Sequence, residues 1–280
     1  MSPQVVMVSD THFSLRTPEA QRNWDAVVRH VATLRPDLVV HVGDVSVDGA
    51  HRPDELRLAR EQLERLPVDW LAVPGNHDVG DNPDDAPGDD GLTDGRLARW
   101  REAFGPDRWS VDLGAWRLIG LNAQVFGAGG PDEDEQWEFL EEALGGSRRK
   151  VLVTHKPLTA DAEELAAAPA YRFVPAPARL RLTRLCRDGR VEAVVSGHVH
   201  QQRRLAAAGM THLWATTTWA VLPDELQPVI GAKRCGILEL SLPDAGDVET
   251  SWVEPSGMAQ LTLGEDIASP YERLVDEPAP

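Results

Sequence analysis

Val5-Val6-Met7-Val8-Ser9-Asp10-Thr11-His12 begins as four apolar residues and ends as four polar ones. The unbroken apolar run predicts a strand buried on both faces, as strands of parallel sheets are. The polar residues that follow then stand at its C-terminal end. The same switch recurs along the chain: Leu38–Val42 leads into Gly43-Asp44, and Trp70–Val73 into Gly75-Asn76-His77-Asp78. Lys150–Thr154 leads into His155-Lys156-Pro157, and Val191–Ser196 into Gly197-His198-Val199-His200. Strand C-termini of a mostly parallel sheet share one edge, so five segments distant in sequence deliver side chains to one crevice.

Between the strands lie stretches with helical periodicity. Trp24, Val27, Val28, Val31 and Leu34 share one face, with Thr17 and Pro18 suited to the N-cap and first helical position. Leu56, Ala59, Leu63 and Leu66 mark a second helix, Leu97, Trp100 and Phe104 a third, and Trp137, Leu140 and Leu144 a fourth. Trp109–Leu113 and Trp116–Leu121 predict a hairpin through Gly114. A further hairpin joins Gln201–Ala207 to Met210–Thr217 across Ala208-Gly209, and Cys235–Leu242 with Glu249–Val253 add two more strands. The Asp/Gly/Pro-rich stretch 79–95 reads as a long exposed loop. The pattern is that of an α/β layered sandwich with mixed sheets. Residues 1–255 form a single domain in this reading, and 256–280 a loosely packed tail.

The 280 residues carry a net charge of −17 and are 42% apolar. That composition supports a real core and argues against an electrostatic grip on nucleic acid or an anionic membrane. Bound divalent cations would let such an acidic chain hold an anionic substrate. Cys186 and Cys235 are too isolated for a thiolate metal site. No charged leader precedes Val5 and no apolar run is long enough to span a bilayer, so the expectation is a cytoplasmic protein. The oligomeric state is left open.

The polar clusters have the chemistry of metal ligands. Asp10 and His12 are two residues apart, as are His198 and His200, and in extended segments such pairs point to one side. Gly43, Gly75 and Gly197 precede the candidate ligands, where a missing Cβ permits close approach. Carboxylates, imidazoles and one amide oxygen favour Mn, Fe or Zn over Ca or a thiolate-bound structural Zn.

The ordered blocks D-x-H, GD, GNHD, H-x-P and GHVH, spanning residues 10–200, resemble the signature of the calcineurin-like metallophosphoesterases. The resemblance implies an αββα sandwich of two mixed β-sheets flanked by helices, with two divalent metal ions as cofactors. Asp10, His12, Asp44 and His200 would hold one cation, and Asp44, Asn76, His155 and His198 the other. Asp44 would be shared, and His77 would stand outside the metal shell, facing the substrate beside Asn76. The implied reaction is hydrolysis of a phosphate ester by a hydroxide between the metals, with His77 serving the leaving oxygen.

The chain is most similar to the bacterial class III cyclic-nucleotide phosphodiesterases, on the GHVH-Gln201 sequence and the compact ending after Thr216–Thr218. The expected substrate is a small nucleotide-like phosphodiester, such as a cyclic nucleotide. The alternatives are a phosphomonoesterase or nucleotide pyrophosphatase on the same site, or a silent binding module. Of the remaining histidines, His41 reads as a core residue, and His30, His51 and His212 as structural or surface. The acidic loop reads as solvated and bordering the pocket, with an extra metal as the alternative. Lys156, Arg203 and Arg204 read as surface charge, with a substrate-phosphate contact as the alternative; Asn122 and Trp219 are further possible pocket neighbours.

Overall fold

The structure, a computed structural model, describes residues 2–83, 85, 86, 88–159 and 172–270. Three parallel strands, β1 (Gln4–Val8), β2 (Leu38–His41) and β3 (Trp70–Ala72), begin the first sheet. It is completed by β10 (Ile237–Ser241), antiparallel to β1, and β11 (Glu249–Val253), in the order β11-β10-β1-β2-β3. The second sheet contains β4 (Trp109–Leu113), β5 (Trp116–Leu121), β6 (Arg149–Thr154), β7 (Val191–Ser196), β8 (Arg203–Ala207) and β9 (Met210–Trp214). Its order is β4-β5-β6-β7-β9-β8, with β5, β6, β7 and β9 parallel and antiparallel hairpins at both edges.

The alternation of side chains along β1 explains the layers. Val5 and Met7 join a core between the two sheets with Val40, Leu118, Val153, Val195 and Leu238. Val6 and Val8 face the other way, onto Trp24, Val27 and Val31 of α1 (Pro18–Leu34) and Leu56 and Leu63 of α2 (Pro53–Leu63). Two helices cover the second sheet's outer face, meeting Ile119, Leu152 and Val194 with Trp137, Leu140, Leu182 and Cys186. Arrangement of helix, sheet, sheet and helix therefore follows from strands that are apolar on both faces.

The four predicted helices are α1, α2, α4 (Asp94–Phe104) and α5 (Pro131–Ala143); α3 (Asn76–Val79) is a single turn in the GNHD block. α6 (Ala176–Asp188) has no counterpart in the sequence reading. Its buried face is only Ala178, Leu182 and Cys186 in an arginine-rich stretch, too sparse for a periodic signal. Thr17 does sit at the N-cap of α1, but its hydroxyl donates to the carbonyls of His12 and Ser14 and leaves the helix uncapped. Part of the tail packs closely: Met258 and Leu263 are buried against the α1 side, and the backbone of Leu263 donates to Val221. Residues 271–280 of the expected tail lie outside the described residues.

Candidate metal centre

The C-terminal ends of β1, β2, β3, β6 and β7 lie along one rim. They belong to two sheets, where the sequence pattern pointed to a single edge. At the ends of β1, β2 and β7 a sharp turn, and not strand backbone, carries the side chains into the crevice. Asp10, His12, Asp44, His198 and His200 have positive φ angles of 52°, 47°, 53°, 68° and 50°. The expected extended geometry of the D-x-H and H-x-H pairs is thus overturned. Left-handed backbone is costly for residues with a Cβ, and five of the eight non-glycine examples among the described residues fall here.

Close approach explains the glycines. A Cβ at Gly75 would run into the Asp44 carboxylate, and one at Gly197 into Ser9 and Asp10. The block is held from below by Asp78, which accepts from the backbone N–H of Val45, Ser46 and Gly75 and from the Ser46 hydroxyl. Ser9 donates to Asp10 Oδ2 at 2.5 Å, and Thr217 donates to the Asp10 carbonyl. Sequence reasoning missed these supports, apart from the presence of Asp78 in the GNHD block. His41 is buried as expected: its Nδ1 accepts from Gly43 N–H, so Nε2 carries the proton and donates to Thr11, whose hydroxyl donates to Val45. Burial pushes its pKa down to about 3, so it is neutral and fastens the Asp10 segment to the Asp44 segment.

Tautomers of three site histidines are set by carbonyls, which can only accept. Nδ1 of His155 donates to Val42, Nδ1 of His200 to Ala220, and Nδ1 of His77 to Val47. Each ring therefore turns Nε2 toward the centre. His155 Nε2 lies 3.1 Å and His12 Nε2 3.9 Å from Asp44 Oδ2, and His200 Nε2 is 3.3 Å from Asp10 Oδ1. Donor atoms of Asp10, His12 and His200 lie within 4.8 Å of one another; so do those of Asp44, His155 and His198, and of His12, Asp44 and His77. His77, expected outside the metal shell, is thus close to it, with Nε2 4.0 Å from Asp44 Oδ2, and is the more exposed partner of the pair.

Charges at the centre are strongly coupled. Burial opposes ionisation of Asp10 and Asp44, yet neighbouring imidazoles, chiefly His200 for the first and His155 for the second, hold both well below the usual carboxylate range. Burial likewise opposes charge on His155, but Asp44 and Asp10 raise it to about 9. Desolvation drives His12 and His198 well below the usual imidazole value, which leaves them neutral as ligands must be. His12 Nε2 and His200 Nε2 face each other at 3.2 Å, a contact between lone pairs unless a proton or a cation lies between them. Asn76 Oδ1 is buried and accepts no hydrogen bond among the described residues. Paired buried anions, inward lone pairs and an orphaned amide oxygen are the donor set of divalent cations, and Asp44 stands where two donor groups overlap.

Outside this cluster the structure corrects the readings of Lys156 and Asn122, leaves Arg204 exposed and sets Trp219 beside the site. Lys156 is fully buried and donates to Asp81, Asn82 and Asp85, so it is neither surface charge nor a substrate contact. Among the described residues the acidic loop holds this ammonium. Asn122 is buried, donates to Asp107 and accepts from Gln124 N–H. Arg204 donates to Thr250, and the Arg203 guanidinium lies 5.2 Å from the Trp214 ring centre. Gln201 spends its amide on Gln227, Pro228, Ile230 and Gly231 and organises that loop. Trp219 is buried against His12, ring centres 5.0 Å apart, and so walls the site.

An αββα sandwich with Asp and His gathered at the shared rim of its sheets defines the class, a metallophosphoesterase scaffold. A family model for the calcineurin-like phosphoesterases matches residues 3–202, and the chain belongs to that family. Over 86 residues it is 34% identical to the "Probable glycerophosphodiester phosphodiesterase" of Arcobacter nitrofigilis, a stretch covering 28% of this chain and 31% of that protein. Purple acid phosphatase from yellow lupin, Lupinus luteus, superposes with a TM-score of 0.65 at 16% identity over 93% of this chain. The chain spans about half of the lupin protein, 52%. A dimetal phosphatase from Danio rerio superposes with a TM-score of 0.58 at 16% identity, covering 91% of this chain and 99% of that one. At such identities the two structures show the shared fold. Among the described residues no helix is long and apolar enough to cross a membrane.

Proposed function

We propose that the chain, with residues 1–255 as one catalytic domain, is a dinuclear-metal phosphodiesterase acting on a small phosphodiester. The observation that carries the reading is buried Asp44, common to the His12/His77 and the His155/His198 donor clusters, together with Asn76 Oδ1, which is buried and accepts no hydrogen bond among the described residues. Asp10, His12, Asp44 and His200 would hold one cation, and Asp44, Asn76, His155 and His198 the other. Two bound divalent cations supply Lewis acidity and activate water at neutral pH.

The protein's own part is orientation and proton handling. Asp44 Oδ1 accepts the His77 backbone N–H at 3.0 Å, the Val47 carbonyl fixes His77 Nδ1, and the ring can turn only Nε2 toward substrate. In its imidazolium form the ring would present an Nε2 proton to the leaving oxygen, which an alkoxide departing from a diester requires. Trp219 and His41 close the floor and keep the ligand segments in register. The diester preference is supported by the likeness to the Arcobacter protein named for that activity. A phosphomonoesterase or nucleotide pyrophosphatase would use the same ligands, since substrate choice in a shared fold lies in the surrounding loops.

With Mn²⁺ present, turnover of bis-p-nitrophenyl phosphate should exceed that of p-nitrophenyl phosphate. A clear preference for the monoester removes the diester reading. Cyclic nucleotides and glycerophosphodiesters, assayed side by side, separate the two diester classes. A purified protein that binds no metal and turns over neither chromogenic ester is a silent scaffold.

A further inference from the structure

Lys156 occupies a position that neither ligand spacing nor a surface role accounts for. It follows His155 at the end of β6, its side chain is fully buried, and its three N–H bonds meet three acceptors on one loop. Nζ lies 2.6 Å from Asp81 Oδ1, 2.7 Å from Asn82 Oδ1 and 3.1 Å from Asp85 Oδ2. That loop leaves α3 directly after the GNHD block. Asn82 in turn donates to the carbonyls of Ala123, Gln124 and Phe126, which binds the loop to the turn after β5.

The turn presents Gln124, which is buried. In the amide orientation that satisfies every neighbour, its nitrogen donates to Asp81 Oδ1 at 3.1 Å and Asn82 Oδ1 at 3.2 Å. Its oxygen accepts the backbone N–H of Asn76 at 3.2 Å. A continuous polar chain therefore runs from Lys156, beside His155, through Asp81 and Gln124 to Asn76. His155, next to one end, and Asn76, at the other, are the donors proposed above for the same cation, whereas among the described residues Asp10 is held by Ser9 and Thr217.

We propose that Lys156 is a positioning residue for one half of the centre: through Asp81 and Gln124 it sets the spacing of Asn76 and His155. The proposal rests on the dimetal reading and adds that the two halves have separate supports. Outer partners of metal ligands change metal affinity by about 10- to 100-fold when removed. Here the loss should fall on one site alone.

The test is calorimetric titration of the metal-free full-length protein with Mn²⁺, together with its melting temperature. Asn76→Ala and His12→Ala serve as references that identify which binding step belongs to which half. In Lys156→Met the step lost in Asn76→Ala should weaken about 10- to 100-fold. The step lost in His12→Ala should stay close to wild type. Gln124→Ala, which leaves the Lys156 ion pairs intact, should show the same asymmetry and carries the test if Lys156→Met does not fold. Equal weakening of both steps, or a lower melting temperature with both steps unchanged, overturns the proposal. Wild-type protein that binds fewer than two Mn²⁺ overturns the dimetal reading itself, an outcome distinct from two intact steps that ignore Lys156 and Gln124.

Discussion

On the proposed reading, Asp44 and His77 divide the work at the scale of single residues. Asp44 is buried, meets His155 at 3.1 Å and approaches His12 and His77 at 3.9 and 4.0 Å. Asp44→Asn keeps the shape but removes the charge shared by both donor groups. Activity should fall by more than the roughly 100-fold seen for outer-shell partners, and bound metal should drop below two equivalents by elemental analysis. His77→Gln separates proton handling from metal binding: kcat should fall by about 10²- to 10⁴-fold while two equivalents of metal are retained. Metal loss in that variant would place His77 among the ligands, as its nearness to His12 and Asp44 allows. The identity of these residues was legible in the sequence because each follows a strand that its own apolar run reveals. Lys156 was misread for a physical reason: burial of a lysine depends on acceptors more than 70 residues away in the chain, at Asp81, Asn82 and Asp85.

Turns decide how well the elements present those residues. The β8–β9 hairpin closes on Ala208 and Gly209 with φ of 52° and 80°, a pair of left-handed residues in which alanine is the poor choice. Ala208→Asn should stabilise the protein by about 1 kcal/mol, read as a melting temperature a few degrees higher. An unchanged melting temperature would mean that the hairpin is not part of the cooperative unit. The same backbone conformation recurs at Asp10, His12, Asp44, His198 and His200, where it aims the candidate ligands into the crevice. Periodicity located the strands and four of the helices, yet it gave no hint of these turns. Nor did it show α6, whose apolar face is too narrow.

The molecule as a whole couples folding to protons and to metal. His212 in β9 is buried away from the candidate ligands, and desolvation lowers its pKa from 6.5 to about 4. The unfolded chain then binds the extra proton between those values. Stability from this residue is complete above about pH 6.5 and is lost as pH falls toward 4, by at most about 3 kcal/mol. His212→Phe should lose less denaturant resistance than wild type between pH 7.5 and 5; an equal loss would assign the acid sensitivity to other groups. Chelation should act in the same direction. Each cation bound only to the folded state at 100 times its Kd adds about 2.7 kcal/mol, so EDTA should lower the melting temperature by several degrees and added Mn²⁺ should restore it.

By itself the sequence determined the alternation of doubly buried strands with amphipathic helices, and the donors placed after those strands. Both are written locally, in runs of a few residues. Only the tertiary structure decided that the donor segments come from two sheets and not one. It also decided that β10 returns to pair with β1, and that Lys156 is answered by a loop from the other side of the site. These relations depend on which distant surfaces bury each other, and no local pattern of apolar and polar residues encodes that choice.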